Sequence, residues 1–266
     1  MQHPFFLYSW LALVVLLSSC QAEPHNDHID LHLKGKVKEL RIKRYKAIEK
    51  SGRIAKGRQV SRTLDKPQLY EYEGLPANSK AHFGEDKEMQ SLEIYDAKDE
   101  LVSKVYLKDT IFEMYGPTGI LGANVVVNDR WYPSKMTVYR ASGELIEYTL
   151  IEYGKKDKLD RIHKEYNKDG QLMAETKYDY DEKGRIAVIE TQVNQRSYHR
   201  LKEEHKTETI TYDEHDHPSQ VTIDDGRNTQ VINIEYILDE HNNWVQSIEY
   251  INGKPSRFIE RKLVYY

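Results

Sequence analysis

Residues able to do chemistry are spread along this chain rather than gathered into one motif. The densest polar run is Asp213-Glu214-His215-Asp216-His217, whose carboxylates and imidazoles are ligand types that Zn²⁺ or Ca²⁺ accepts. The chain's spacing places a tight turn there, and turns are polar because they face water, so no metal is assigned. His25, His28 and His32 recur at i, i+3 and i+7, which on a helix would share a face. Pro24 and the polar surroundings favour a flexible linker instead. Searches for a Gly-x-Ser-x-Gly elbow, a P-loop, a dinucleotide-binding glycine string and a His-Glu-x-x-His pair find none. With 31% of residues charged, no carboxylate pair stands out as acid and base. The chain therefore reads as non-catalytic, with no cofactor. A hydrolase is the least supported alternative, since it needs a concave pocket with convergent carboxylates.

Aromatic residues weigh more. There are 20 tyrosines and three tryptophans. Trp131, Tyr132, Trp244 and Tyr250 are the candidates for a binding face, because flat amphipathic rings suit a glycan or a peptide. The structural reading is a ladder of tyrosines stacked across strands, each pair contributing roughly 0.2–1 kcal/mol.

These side chains must be positioned by a repeat. A pattern of Tyr, three residues, Gly or Asp, one residue, then Leu or Ile runs from Tyr139 to Ile189. It occurs at Tyr139/Gly143/Leu145, Tyr153/Asp157/Leu159, Tyr166/Gly170/Leu172 and Tyr180/Gly184/Ile186. In Tyr180-Asp181-Glu182-Lys183-Gly184-Arg185, Asp opens a type I turn and Gly falls where φ must be positive. The flanks are rich in Tyr, Thr, Val and Ile, which suit a pleated, half-buried surface. Each unit is one strand and one tight turn. Worn copies extend the pattern to Tyr95/Asp99/Leu101 upstream and to Tyr212-Asp213 and Leu238-Asp239 downstream. Asp225-Gly226 and Asn252-Gly253 mark further hairpins, and Lys50-Ser51-Gly52-Arg53 is another worn turn. Val125-Val126-Val127 reads as the best-buried strand. The stretch from Asn194 to Lys206 is polar and reads as a longer loop or a short helix, and Thr63 to Met89 as loop with one strand around Tyr70 and Tyr72.

Phe5 to Leu17 is an apolar run too short to span a bilayer, which needs about 20 residues. It fits the apolar core of a secretory signal and ends at Cys20, the only cysteine. Leu17-Ser18-Ser19-Cys20 resembles the bacterial lipobox, although no Lys or Arg precedes Phe5. The resemblance implies cleavage before Cys20 and lipidation of its thiol. Residues 1–19 are then the signal peptide, 20–33 a lipidated tether and 34–266 a hairpin-repeat domain, clearest over 136–266. Residues 34–62 carry twelve Lys or Arg against two Glu, while the rest of the chain carries 27 basic and 41 acidic residues. Such a segment suits either an anionic membrane surface or a strand edge blunted by lysines, and the edge is favoured. Nucleic acid is not expected, since aromatic interleaving is thin.

Tyr180-Asp181-Glu182-Lys183-Gly184-Arg185-Ile186 resembles the YD repeat of RHS-type proteins. The run from Leu238 to Tyr266, with Asn243-Trp244, Asn252-Gly253 and Glu260-Arg261, is similar to the closing segment of RHS-repeat-like lipoproteins of the Bacteroidota. Large RHS proteins wind such strands into a shell around a toxin, and this chain is too short for that and has no toxin-like tail. The expectation is an all-β fold: an antiparallel β-meander of repeated hairpins forming a single or curled sheet. It is expected to be anchored through its lipid in the outer membrane, as a scaffold or protein-interaction surface. The alternative is a glycan-binding lipoprotein.

Overall fold

The computed structural model describes residues 33–60, 75, 78–108, 110–128, 133–153, 161–194 and 205–266. The proposed signal, Cys20 and most of the tether lie outside these, as do Trp131, Tyr132, Asp157, Tyr70 and Tyr72. Every element among the described residues is a β-strand, numbered here in chain order. They are β1 (Val37–Lys50), β2 (Arg53–Gln59), β3 (Ser79–Phe83), β4 (Met89–Tyr95), β5 (Leu101–Lys108) and β6 (Ile111–Tyr115). Then come β7 (Leu121–Val127), β8 (Pro133–Tyr139), β9 (Leu145–Tyr153), β10 (Arg161–Asn167), β11 (Leu172–Tyr180) and β12 (Ile186–Val193). The last are β13 (His205–Tyr212), β14 (Pro218–Asp224), β15 (Thr229–Leu238), β16 (Trp244–Ile251) and β17 (Lys254–Tyr265).

From β3 to β17 each strand pairs antiparallel with the next, as a meander must. The two ends of that meander then meet on β1. Val37 to Lys46 pair with β17, and Glu39 to Ile42 pair with β3. The ring is thereby closed into a 16-strand barrel, and β2 stands outside it, paired with the last part of β1. An open or curled sheet was expected, so closure is a correction. Its cause is non-local: the first strand supplies both missing edges, and closure removes the unpaired backbone that an open sheet would expose. A second correction concerns residues 63–89, where β3 lies in a stretch expected to be mostly loop.

The chain enters at one end of the barrel, here the entry rim, next to the end of β17. Antiparallel order puts the β11–β12, β13–β14 and β15–β16 turns on that rim. The β1–β2, β4–β5, β10–β11 and β16–β17 turns lie on the far rim. Along β11 burial alternates, with Ala174, Thr176 and Tyr178 inside and Glu175, Lys177 and Asp179 outside. The same two-residue period runs through β4, β6 and β13. The larger apolar cluster lines β1 and β3–β9 with Leu40, Ile42, Leu92, Val105, Val125 and Val138, and Val125 is fully buried as expected. Leu75, between β2 and β3, is fully buried in that cluster, so the connection contributes a side chain to the interior. A smaller cluster, Tyr178, Ile189, Ile210, Val221 and Ile232, covers the inside of β11–β15.

Candidate functional site

The repeat is first of all a turn device. In the turn after β11, Asp181 Oδ1 accepts the backbone N–H of Lys183 and of Arg185, each at 2.9 Å. Gly184 takes φ 79°, a conformation that costs glycine nothing sterically. The same pair of bonds recurs from Asp213 to the N–H groups of His215 and His217, and from Asp239 to those of His241 and Asn243. Asp96 and Asn167 repeat it on the far rim. The Asp of each Tyr-Asp pair is thus a cap for a three-residue turn with its bulge.

Some of the tyrosines have a task of their own. Tyr153, at the end of β9, donates its hydroxyl to the carbonyl of Pro133, the first residue of β8, at 2.9 Å. Tyr212 does the same to Ile186 of β12 at 2.7 Å, and Tyr236 to Pro218 of β14 at 2.8 Å. In each case the ladder to the following strand starts two residues further in, so the rim carbonyl has no ladder partner on that side. The tyrosine supplies it. Among the described residues, tyrosines meet across strands at Tyr148–Tyr166, stacked with centroids 5.1 Å apart, and at Tyr106–Tyr115, tilted at 6.3 Å. Tyr153, Tyr212 and Tyr236 therefore staple the rim, a task the ladder reading did not include.

The side chains with the most chemistry lie on the inner wall of β10–β13. Register places His163, Thr176, Thr191 and Lys206 in one row, all buried. Arg161, Tyr178, Ile189 and Glu208 form the next. Arg161 lies over the Tyr178 ring at 4.0 Å, and Tyr178 Oη is 3.2 Å from His163 Nδ1. Thr176 and Thr191 hydroxyls are 3.2 Å apart, and Lys206 Nζ is 3.0 Å from Glu208 Oε1. Burial, and then the Arg161 charge, hold the His163 pKa well below the ordinary 6.5, so the ring is neutral at pH 7. A second buried ion pair, Glu249–Arg257 at 3.0 Å, lies across β16 and β17. These groups are buried in the wall and contact one another there. Sequence reasoning missed them because β10–β13 are polar on both faces, which silences the alternation signal.

On the outer side of the same strands Glu175, Lys177, Glu190, Gln192, Asn194 and His205 line an open groove of about 250 Å³. Lys177 pairs with Glu175 at 3.4 Å. The groove has no aromatic platform.

Of the predicted binding face, Trp244 points inward, 6% exposed, with the Arg261 guanidinium 3.4 Å from its ring centroid and Tyr236 at 5.7 Å. Tyr250 faces outward and donates to Glu235 at 2.9 Å. The two do not share a face, and Trp131 and Tyr132 lie outside the described residues. Among the described residues no group of His, Cys, Asp and Glu is arranged to hold a metal. In the Asp213–His217 run, Asp213 caps the turn, Asp216 is paired with Lys183 and Arg185, and His217 is buried 5.1 Å from the Tyr236 ring.

Where the chain enters, Asn243 reads the backbone of Lys34 from both sides. Its Oδ1 accepts the Lys34 N–H at 2.7 Å, and its Nδ2 donates to the Lys34 carbonyl at 2.9 Å. Nδ2 also lies 2.8 Å from Tyr265 Oη, which donates to Asp239 at 2.6 Å. Burial and this carboxylate push the Tyr265 hydroxyl up to about 12. The His241 ring stacks on Tyr265 at 4.4 Å. Asn243, singled out in the sequence, is therefore the clasp that joins the lead-in to β1 with the end of β17.

No family model matches the chain, and no curated protein does. Among solved structures it is similar to a porin-like protein from Bacteroides uniformis, with a TM-score of 0.53 and 12% identity over 87% of this chain and 99% of that one. A porin-like protein from Bacteroides vulgatus gives a TM-score of 0.45 and 12% identity, over 68% and 95%. The Photorhabdus luminescens Tc holotoxin pore gives 0.29 and 11%, over 84% of this chain and 15% of that one. Only the first of these three passes a TM-score of 0.5, and at 12% identity it shows a shared fold alone.

Proposed function

We propose that the chain is a non-catalytic envelope lipoprotein, a closed barrel of RHS/YD-like hairpins held at the membrane by Cys20 and working in water as a scaffold or protein-interaction module. The observation that carries this is the direction of the wall. A barrel that spans a membrane shows lipid an apolar band about 25 Å tall and keeps its polar residues inside, and a charge facing mid-bilayer costs roughly 2–4 kcal/mol. Here the outward residues are Glu175, Lys177 and Asp179 on β11, and Glu190 and Gln192 on β12. On β13 they are Thr207, Thr209 and Thr211, and on β14 Gln220, Thr222 and Asp224. Such a wall belongs in water, and the inner wall carries the two buried apolar clusters. Anchoring then needs a separate device, and the Leu17-Ser18-Ser19-Cys20 string offers one. The glycan alternative loses Trp244 to the interior.

The test compares the full chain with Cys20→Ala in detergent phase partition. The wild type is expected in the detergent phase and the variant in the aqueous phase. A variant that still requires detergent, or a purified chain that conducts ions across a planar bilayer, would overturn the reading.

A further inference from the structure

Several lysines on the outside of the ring are paired with neighbouring carboxylates. Lys104 pairs with Glu93 at 2.8 Å, Lys164 with Glu152 at 2.7 Å, Lys183 with Asp216 at 2.8 Å and Lys80 with Glu39 at 2.9 Å. The β1–β2 hairpin departs from this. Lys46, Lys50, Arg53 and Arg58 are exposed, and none has an ion-pair partner among the described residues. Of the two glutamates on these strands, Glu39 is paired with Lys80 and Glu49 alone lies in the part of β1 that faces β2.

Register gathers these cations on one face. Lys50 lies opposite Arg53 and Ile48 opposite Ala55, while Lys46 and Arg58 flank a bulge between the Tyr45–Gln59 and Ala47–Lys56 pairs. Arg44, Lys46, Ile48 and Lys50 share a parity, so this face continues the inner wall past the far rim, where it meets solvent. Ile48 sits among the cations, 39% exposed. A Cβ on Gly57 would lie 2.9 Å from both Ile48 Cγ2 and the Lys46 carbonyl, so the bulge needs glycine for its close approach.

The other face is fastened to the ring. Lys56 donates to Glu260 at 2.8 Å and lies 5.2 Å from the Tyr45 ring centroid, and Gln59 donates to Asp99 at 3.1 Å. The hairpin is therefore held in place rather than loosely attached. Among the described residues β2 has β1 as its sole ladder partner, and its outer edge is unpaired among them.

We propose that this edge and its cations form a docking strip for an acidic, extended segment of a partner protein. The segment adds as a strand beside β2, with carboxylates toward Arg53, Arg58 and Lys50 and an apolar side chain against Ile48. Three features select this occupant together. The open backbone edge supplies N–H and C=O groups that only another polypeptide backbone can use in register. The charge is complementary to carboxylates. The cations also repel a second copy of the same edge, as lysines on edge strands do. This deepens the reading of a water-facing module by naming its class of partner, and it rests on that reading.

The experiment uses the full chain in detergent and a labelled peptide of alternating Glu and Val, followed by fluorescence anisotropy. Wild type is expected to bind, less tightly as salt rises. Arg53→Glu with Arg58→Glu should weaken binding at least about tenfold. A peptide N-methylated along one edge should lose comparable affinity, because it cannot pair with β2. Lys183→Glu, on the entry rim, should leave binding unchanged. Equal binding by the charge-reversed chain, equal binding of the N-methylated peptide, or preference for phosphatidylglycerol vesicles would each overturn the proposal. A chain that passes the Cys20 partition test yet ignores the peptide would remove the docking strip and keep the module.

Discussion

At the scale of single residues, the instructive positions are polar groups that the fold has taken out of water. His163 is neutral because burial denies the charged ring its solvent, and the Arg161 charge adds to that penalty. Its folded pKa lies below the unfolded value, so the unfolded chain binds more protons as pH falls. Stability is then fully present above about 6.5 and declines below it. Urea midpoints measured from pH 7.5 down to pH 5 are expected to fall more steeply for wild type than for His163→Gln, and parallel curves would exclude this residue as a contributor. Tyr212 offers a neutral counterpart. Burial raises the pKa of its hydroxyl, which keeps it a donor to Ile186. Tyr212→Phe removes that donor and keeps the ring, so the expected loss is about 1 kcal/mol with an unchanged denaturant slope. The Arg185 guanidinium, 4.1 Å from the ring centroid, should stay in place in a structure of the variant.

At the scale of elements, turns were legible and faces were not. Asp181, Gly184 and their copies announce themselves because one backbone geometry demands one short set of residue types. Ser51-Gly52, Asp225-Gly226 and Asn252-Gly253 were read correctly for the same reason, and positive φ is found at Ser51, Gly52, Gly226, Asn252 and Gly253. The inward faces of β10–β13 escaped notice because Thr176, Thr191, Lys206 and Glu208 look like solvent residues in a string of letters. β3 escaped because Ser79-Lys80-Ala81-His82-Phe83 is short and carries few strand-forming residues. Trp244 qualifies as a binding-face candidate on its letter alone, since nothing in the sequence says that Arg261 covers it. The inward polar residues make a prediction of their own. Glu249→Ala leaves Arg257 buried beside no carboxylate, and breaking such a pair costs about 3–5 kcal/mol, whereas an exposed pair is worth about 1 kcal/mol or less. Chemical denaturation should therefore separate Glu249→Ala sharply from Glu152→Ala, whose partner Lys164 stays in water.

At the scale of the molecule, the consequential contact is the seam at β1, and it joins residues at opposite ends of the chain. Val37 pairs with Tyr265 and Tyr45 with Phe258, so the seam forms only after the meander has brought its last strand round to its first. Local order fixes every other pairing between β3 and β17, which is why a periodic sequence reveals strands and turns but stays silent on whether the sheet closes. Asn243 is placed to hold the seam at the entry rim, with its three bonds to Lys34 and Tyr265. At the same rim the Tyr266 hydroxyl donates to the Phe83 carbonyl at 2.7 Å, tying β17 to the end of β3. Asn243→Ala removes the three bonds and strands the Lys34 N–H and carbonyl near the rim, a loss of about 2–4 kcal/mol. The loss should be local before it is global. Amide exchange is expected to quicken along β1 and β17, while β11 and β12, zipped by neighbours adjacent in sequence, keep their protection. Uniform quickening around the ring would mean that the barrel opens as a single unit and that the clasp has no special place in it. If the seam does open first, it exposes the edges of β1 and β17, and the variant should self-associate at concentrations where wild type stays monodisperse by size-exclusion chromatography.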